Sequence, residues 1–133
     1  MNAGQRVFRQ GLFLLALLAL AFNLLLLVSV TLNLEWARTR AAGGQFEEFP
    51  LVIRAVYLMM SVAMIFLMRL SWRFLHDEAS QKEHLVAKWI GRLFVASAFT
   101  QLISQSADER WNAIPALVIA TAFLVSARRN QKQ

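Results

Sequence analysis

The feature that most constrains this chain is the run "GLFLLALLALAFNLLLLVSVTL", residues 11–32, which carries no charge. As a helix rising about 1.5 Å per residue it would cover roughly 33 Å, enough to cross the hydrocarbon core of a bilayer. In that medium a backbone must satisfy its own polar groups, so the run is expected to be helical. Arg6 and Arg9 precede it and "ARTRAAGG" follows with small residues, the layout of a secretory signal. The apolar core of such a signal is about 7–15 residues, however, so an uncleaved anchor is expected.

Three further apolar runs follow. "PLVIRAVYLMMSVAMIFLMRL" is charge-free between Arg54 and Arg69, whose long stems can carry the guanidinium groups out to headgroups. "KWIGRLFVASAFTQLISQSA" is more polar, and "WNAIPALVIATAFLVSA" is near the lower length limit for a span. With 58% hydrophobic and 17% charged residues in 133, the expectation is a single membrane domain, an all-α integral membrane protein. It would be a four-transmembrane-helix bundle spanning 11–32, 51–70, 88–106 and 110–127, with an outer loop at 33–50 and a cytoplasmic turn at 71–82.

Four spans place both termini on one side. The basic residues on that side are Arg6, Arg9, Arg69, Arg73, Lys82, Lys88, Arg92, Arg128, Arg129 and Lys132; Arg38, Arg40, Arg54 and Arg110 fall on the other. Lys and Arg concentrate in cytoplasmic segments, so this asymmetry predicts N-in/C-in topology, in a bacterial-type inner membrane. The net charge of +6 comes from residues bordering apolar spans rather than from a basic block, which points to anionic lipid and not to nucleic acid. Arg69, Arg73, Lys88, Arg92, Arg128 and Arg129 are the expected headgroup contacts.

The absence of cysteine excludes disulfides, thiol redox chemistry and thiolate metal sites. The stretch "RFLHDEASQKEHLV", residues 73–86, gathers two histidines and three acids. Ser80-x-x-Glu83 there has the form of a reciprocal helix cap, which places a helix start near Gln81 and makes "LHDEA" a turn with Asp77 and Glu78 in solvent. His76 and His84 are eight positions apart across that turn, not at the helical spacing metal ligands need. Neither a metal site, a cofactor nor a catalytic group is expected. A second cap, Ser106-x-x-Glu109, suggests a helix starting near Ala107, in which Pro115 would be interior and kink it. In the outer loop, "GG" at 43 and 44 breaks any helix, and Trp36, Phe46 and Phe49 are expected to anchor its flanks at the interface.

On a wheel of roughly 100° per residue, Ser97, Thr100, Gln101, Ser104 and Gln105 share one face of the third span, opposite Lys88 and Arg92. Polar side chains in hydrocarbon should turn toward protein or water, so this face, with Asn23 of the first span, is expected to look inward. Hydrogen bonds among Asn23, Gln101 and Gln105 would then glue helices together. Met59, Met60, Met64 and Met68 read as adaptable packing. No acid or histidine lies within a span, which argues against a proton-coupled pump. The pattern suggests a non-enzymatic accessory or interaction subunit of a membrane assembly or homo-oligomer. The alternative is a small carrier or channel with a polar path along the third helix.

Overall fold

A computed structural model of the chain describes residues 3–129. They fold as α1 (Ala3–Thr31), a short α2 (Glu35–Arg38), a 3-10 turn (Ala42–Gly44), α3 (Leu51–Leu75), α4 (Gln81–Leu102), a short α5 (Ala107–Trp111) and α6 (Ala113–Arg129), with no strand among the described residues. Three segments are long and apolar enough to cross a membrane: α1, α3 and the α5–α6 stretch from Ala107 to Arg128. α4 matches them in length but carries Lys82, Lys88, Arg92 and a polar stripe, and falls short in apolar character.

α1 is the central helix, packed on α3 and on α6, while α6 packs in turn on α4. The buried residues of α1 include Phe13, Ala16, Leu20 and Leu27, spaced by threes, fours and sevens on one face, whereas Leu14, Leu15, Leu18 and Leu25 point away from the chain. α6 and α4 present small residues: Ala113, Ala116 and Ala120 of α6 are buried, as are Ala87, Gly91 and Ala98 of α4. In lipid, apolar burial does not drive helices together, so association depends on close backbone approach, which such residues permit. A Cβ added to Gly91 would sit 2.6 Å from Cγ of Leu124. Three aromatics close one end of the molecule: Phe13 and Phe74 stack at 5.2 Å, and Phe123 meets both edge-on at 5.9 and 6.1 Å.

That end, which also carries the α3–α4 turn, is called the turn end here, and the opposite one the loop end. α1 and α3 each stop in a left-handed residue. Asn33 (φ 59°) and Asp77 (φ 62°) occupy the position where glycine is usual. In both, the next amide reaches back five residues, Leu34 N–H to Ser29 O at 2.8 Å and Glu78 N–H to Arg73 O at 2.9 Å. A side chain is retained because each has work elsewhere: Asn33 Oδ1 accepts from the Phe49 amide at 3.0 Å, and Asp77 takes Arg9 and Arg6. Asp77 therefore ties the start of α1 to the turn, where the sequence suggested a solvated acid.

α4 starts at Gln81 behind the expected reciprocal cap, Ser80 Oγ accepting from the Glu83 amide and the Glu83 carboxylate from the Ser80 amide. The same carboxylate pairs with Arg73. α4 ends at Leu102, earlier than the expected limit of 106, and α1 and α3 run beyond the expected 11–32 and 51–70 to begin at Ala3 and end at Leu75. α5 starts at Ala107 behind Ser106, as expected, but only half of a reciprocal cap forms: Ser106 Oγ accepts from the Glu109 amide at 3.3 Å, while the Glu109 carboxylate turns elsewhere. The kink expected from Pro115 is a break at Asn112, four residues upstream of Ala116, because Pro115 has no N–H to offer the Trp111 carbonyl.

The loop end is folded over by residues 33–50. Phe49 is 4% exposed and packs with Leu26, Val30, Ala37 and Ala41; it is a core residue of this cap and not the interfacial anchor expected, since its amide bond to Asn33 turns the chain inward. Arg54 Nε donates to the Thr31 carbonyl at 2.7 Å, so this guanidinium caps α1 where a headgroup contact was expected.

Candidate functional site

α3 and α4 are joined by a five-residue turn, 76–80, yet do not pack along their lengths. Between them lies a cavity of about 380 Å³, within the size range of small-ligand sites. α1 forms its back wall through Asn23, Leu26 and Leu27; α3 contributes Tyr57, Met60, Ala63, Met64 and Leu67; α4 contributes Leu93, Phe94, Ser97 and Gln101. At the loop end it is bounded by Arg40, Ala41, Glu109 and Asn112. The walls are mostly apolar, with polar groups gathered toward the loop end.

The helical wheel explains which residues reach it. α4 meets α6 through Ala87, Gly91, Phe94 and Ala98, within an arc of roughly 60°. Ser97 and Gln101 flank that arc on the side of α3, and Lys88 and Arg92 flank it on the other. The polar face therefore borders the cavity and is not the packed seam. Its members behave differently. Asn23 Nδ2 donates to Ala19 O at 2.9 Å, within its own helix. Gln101 Nε2 lies 3.4 Å from Ser97 Oγ, one turn back on α4, and Gln101 Oε1 is buried with no partner. Thr100 is exposed and donates to Ser97 O. Ser104 and Gln105 lie beyond the end of α4 in the turn to α5, Ser104 on the Glu109 carboxylate and Gln105 exposed. The expected bonds among Asn23, Gln101 and Gln105 do not form, because each side chain finds an acceptor locally or lies outside the helix.

The loop end was not legible as part of a site. Glu109 Oε2 accepts from the Gly43 amide at 2.9 Å and from Ser104 Oγ, and Thr39 Oγ1 donates to Asp108 at 2.8 Å. Asn112, 3% exposed, donates to the Arg40 carbonyl at 2.8 Å and keeps its Oδ1 unpartnered. Gly43 (φ 73°) and Gly44 (φ 68°) adopt left-handed backbone, and a Cβ on Gly44 would press on Ser106, so the Gly-Gly pair serves to seat the loop on α5. Apart from the Ser104–Glu109 bond, these contacts join residues more than 60 apart in the chain, and nothing local marks them. The available hint was an acid pair, Asp108-Glu109, beside an apolar span.

Of the expected headgroup cations, Arg73 is committed to the turn, pairing with Glu83 and donating to Glu78 O at 2.9 Å. Arg69 is exposed on α3. Lys88, Arg92 and Arg128 line one cavity between α4 and α6. The side chain of Arg129, like Lys132, lies outside the described residues. At the turn end, hydrogen bonding from Arg9 holds the Asp77 carboxyl below its usual value, opposed by burial and aided by the charges of Arg9 and Arg6. The Ser80 amide does the same for Glu83. His76 and His84 place Nδ1 2.9 Å from carbonyls of their own segments, Trp72 and Ser80. Among the described residues no three His, Asp or Glu converge as metal ligands. No family model, no curated protein and no solved structure matches the chain.

Proposed function

We propose that this is a non-enzymatic membrane protein whose bundle has four spans, α4 being the third, with both termini on the cytoplasmic face of a bacterial-type inner membrane. It acts as an accessory or interaction subunit, receiving a helix of another membrane protein, or of a second copy, at the cleft between α3 and α4. The excess of Lys and Arg at the turn end supports the orientation, and the length of α4 and its seam with α6 support its place beside the other spans.

The observation that carries the reading is the exposure of α3. Over its most apolar stretch only 11% is buried within the chain, against 39% for α1 and 44% for the Ala107–Arg128 segment. α3 leans on α1 and turns Met60 and Met64 to a cleft that no other described residue fills. Thioether side chains adapt to a variable partner surface, and Ser97 and Gln101 beside them offer hydrogen bonds across a helix interface.

Because the chain has no cysteine, single Cys variants can map the cleft in the native membrane. Met60→Cys and Leu93→Cys should cross-link to a foreign subunit or a second copy, and Val62→Cys, exposed on α3 away from the cavity, should not. Equal yields at all three, or none in the cleft, count against the reading. The second reading is a small carrier, favoured by the unpartnered Gln101 acceptor beside the cavity. Labelling of Ser97→Cys and Gln101→Cys by a water-soluble maleimide, without cross-links from the cleft, would put it first.

A further inference from the structure

We propose that the cavity between α4 and α6 is a discrete site for the phosphate of one anionic phospholipid, held by Lys88, Arg92 and Arg128. The inference rests on the membrane placement of α4 argued above. Lys88 and Arg92 are four residues apart and so share a face of α4. The close approach of that helix to α6, where Gly91 leaves no room for a Cβ beside Leu124, brings Arg128 to the same rim, one turn beyond Leu124. The three cations line a cavity of about 400 Å³ whose other walls are Leu124 and Ala127.

Among the described residues nothing compensates the charges there. The ion pairs among those residues use Arg6, Arg9 and Arg73, with Asp77 and Glu83; none involves Lys88, Arg92 or Arg128, and no described carboxylate lines the cavity. Three like charges in one cavity repel unless an anion sits among them. Arg92 is further held by the ring of Trp89, 5.0 Å beneath its guanidinium, and Trp89 is itself exposed on the lipid-facing side of α4. An anion here meets a cationic rim and an apolar floor beside a span, which matches a phosphodiester whose acyl chains lie along Leu124 and Ala127. Basic pockets between helices at the cytoplasmic level hold lipid headgroups in this way. Arg69, on α3, lies outside the cavity and is a matched control.

The test uses the full chain in nanodiscs, with native mass spectrometry counting retained phosphatidylglycerol against phosphatidylcholine. The wild type should retain one phosphatidylglycerol. Lys88→Gln with Arg92→Gln should weaken it roughly 25-fold, about fivefold per cation, and Arg128→Gln by about fivefold more. Arg69→Gln with Lys82→Gln, which removes the same charge, should leave it unchanged. Equal loss in the two double variants, or equal retention of the two lipids, overturns the site. Displacement by millimolar inorganic phosphate overturns its assignment to a lipid. Val95→Cys, on the exposed face of α4, gives the separate readout: labelling by a water-soluble maleimide overturns the membrane placement and the proposal with it. Protection without lipid preference overturns the pocket alone.

Discussion

The two flanks of α4 are filled in opposite ways. Toward α6, Ala87, Gly91 and Ala98 let the backbones approach until Gly91 and Leu124 are in contact, and Phe94 is buried at the edge. Toward α3, Leu93, Ser97 and Gln101 face Met60, Met64 and Leu67 across a cavity. Since lipid competes for apolar surface as well as protein does, a helix pair closes where its residues are small and stays apart where they are long. α3 packs along its length on α1 alone and is fixed in addition at its two ends, by Phe74 against Phe13 and Phe123 at the turn end, and by Arg54 on the Thr31 carbonyl at the loop end. The cleft is thus a consequence of where small residues are placed, kept in shape by anchors outside it.

The comparison would break most visibly at an anchor. Phe74→Ala removes the ring that stacks on Phe13 in a fully packed setting, and the loss of unfolding free energy in mixed micelles is expected at about 3–5 kcal/mol. α3 should then separate from α1 first, with the α4–α6 seam intact. A loss no larger than that of Leu18→Ala, which faces away from the chain, would mean that the aromatic cluster does not anchor α3.

A smaller effect tests the flanks directly, by adding the same side chain to each. Gly91→Leu must push Leu124 and the backbone behind it apart, at an expected cost of about 1–3 kcal/mol. Ala63→Leu projects into the cavity and should change stability by no more than about 0.5 kcal/mol. Equal costs at the two positions would show that the cleft is closed when the protein is in its membrane.

How much of this could be read beforehand follows from the range of the interactions. The helices, the start of α4 at Gln81 and the break before Pro115 depend on residues within one or two turns, and each was legible. The polar stripe of the third run is visible too, but Ser97 and Gln101 border the cavity and do not form the packed face, because the seam goes to the residues small enough for close approach. The actual seam is marked by Ala87 and Gly91 at a spacing of four, a weaker signal since alanine is common. The burial of Phe49 and the seat of Glu109 on Gly43 depend on partners 16 and 66 residues away, and no local pattern encodes those. Asp77 reads as solvated, and Arg73 as a headgroup contact, for the same reason: their partners lie on another helix or across the turn.

The smallest expected effect concerns the latch at the turn end. Asp77 sits in left-handed backbone, where Asn is tolerated as well as Asp, so Asp77→Asn removes the charge without disturbing the end of α3. Its carboxyl is held below the ordinary 3.8 by Arg9 and Arg6. The unfolded chain therefore takes up this proton first as pH falls. The latch contributes in full above the ordinary value, and its contribution disappears as pH drops through the lower, folded one. The pair with Arg6 is exposed, and the whole contribution is expected to stay under about 1 kcal/mol. Glu83 is shifted in the same direction by the Ser80 amide, so the informative quantity is the difference between wild type and Asp77→Asn as unfolding is followed from neutral into acid. That difference should be constant near neutrality and vanish in acid. A variant that keeps the wild-type acid slope would place the pH dependence on the Ser80–Glu83 cap, leaving the aromatic cluster to hold α3 by itself at this end.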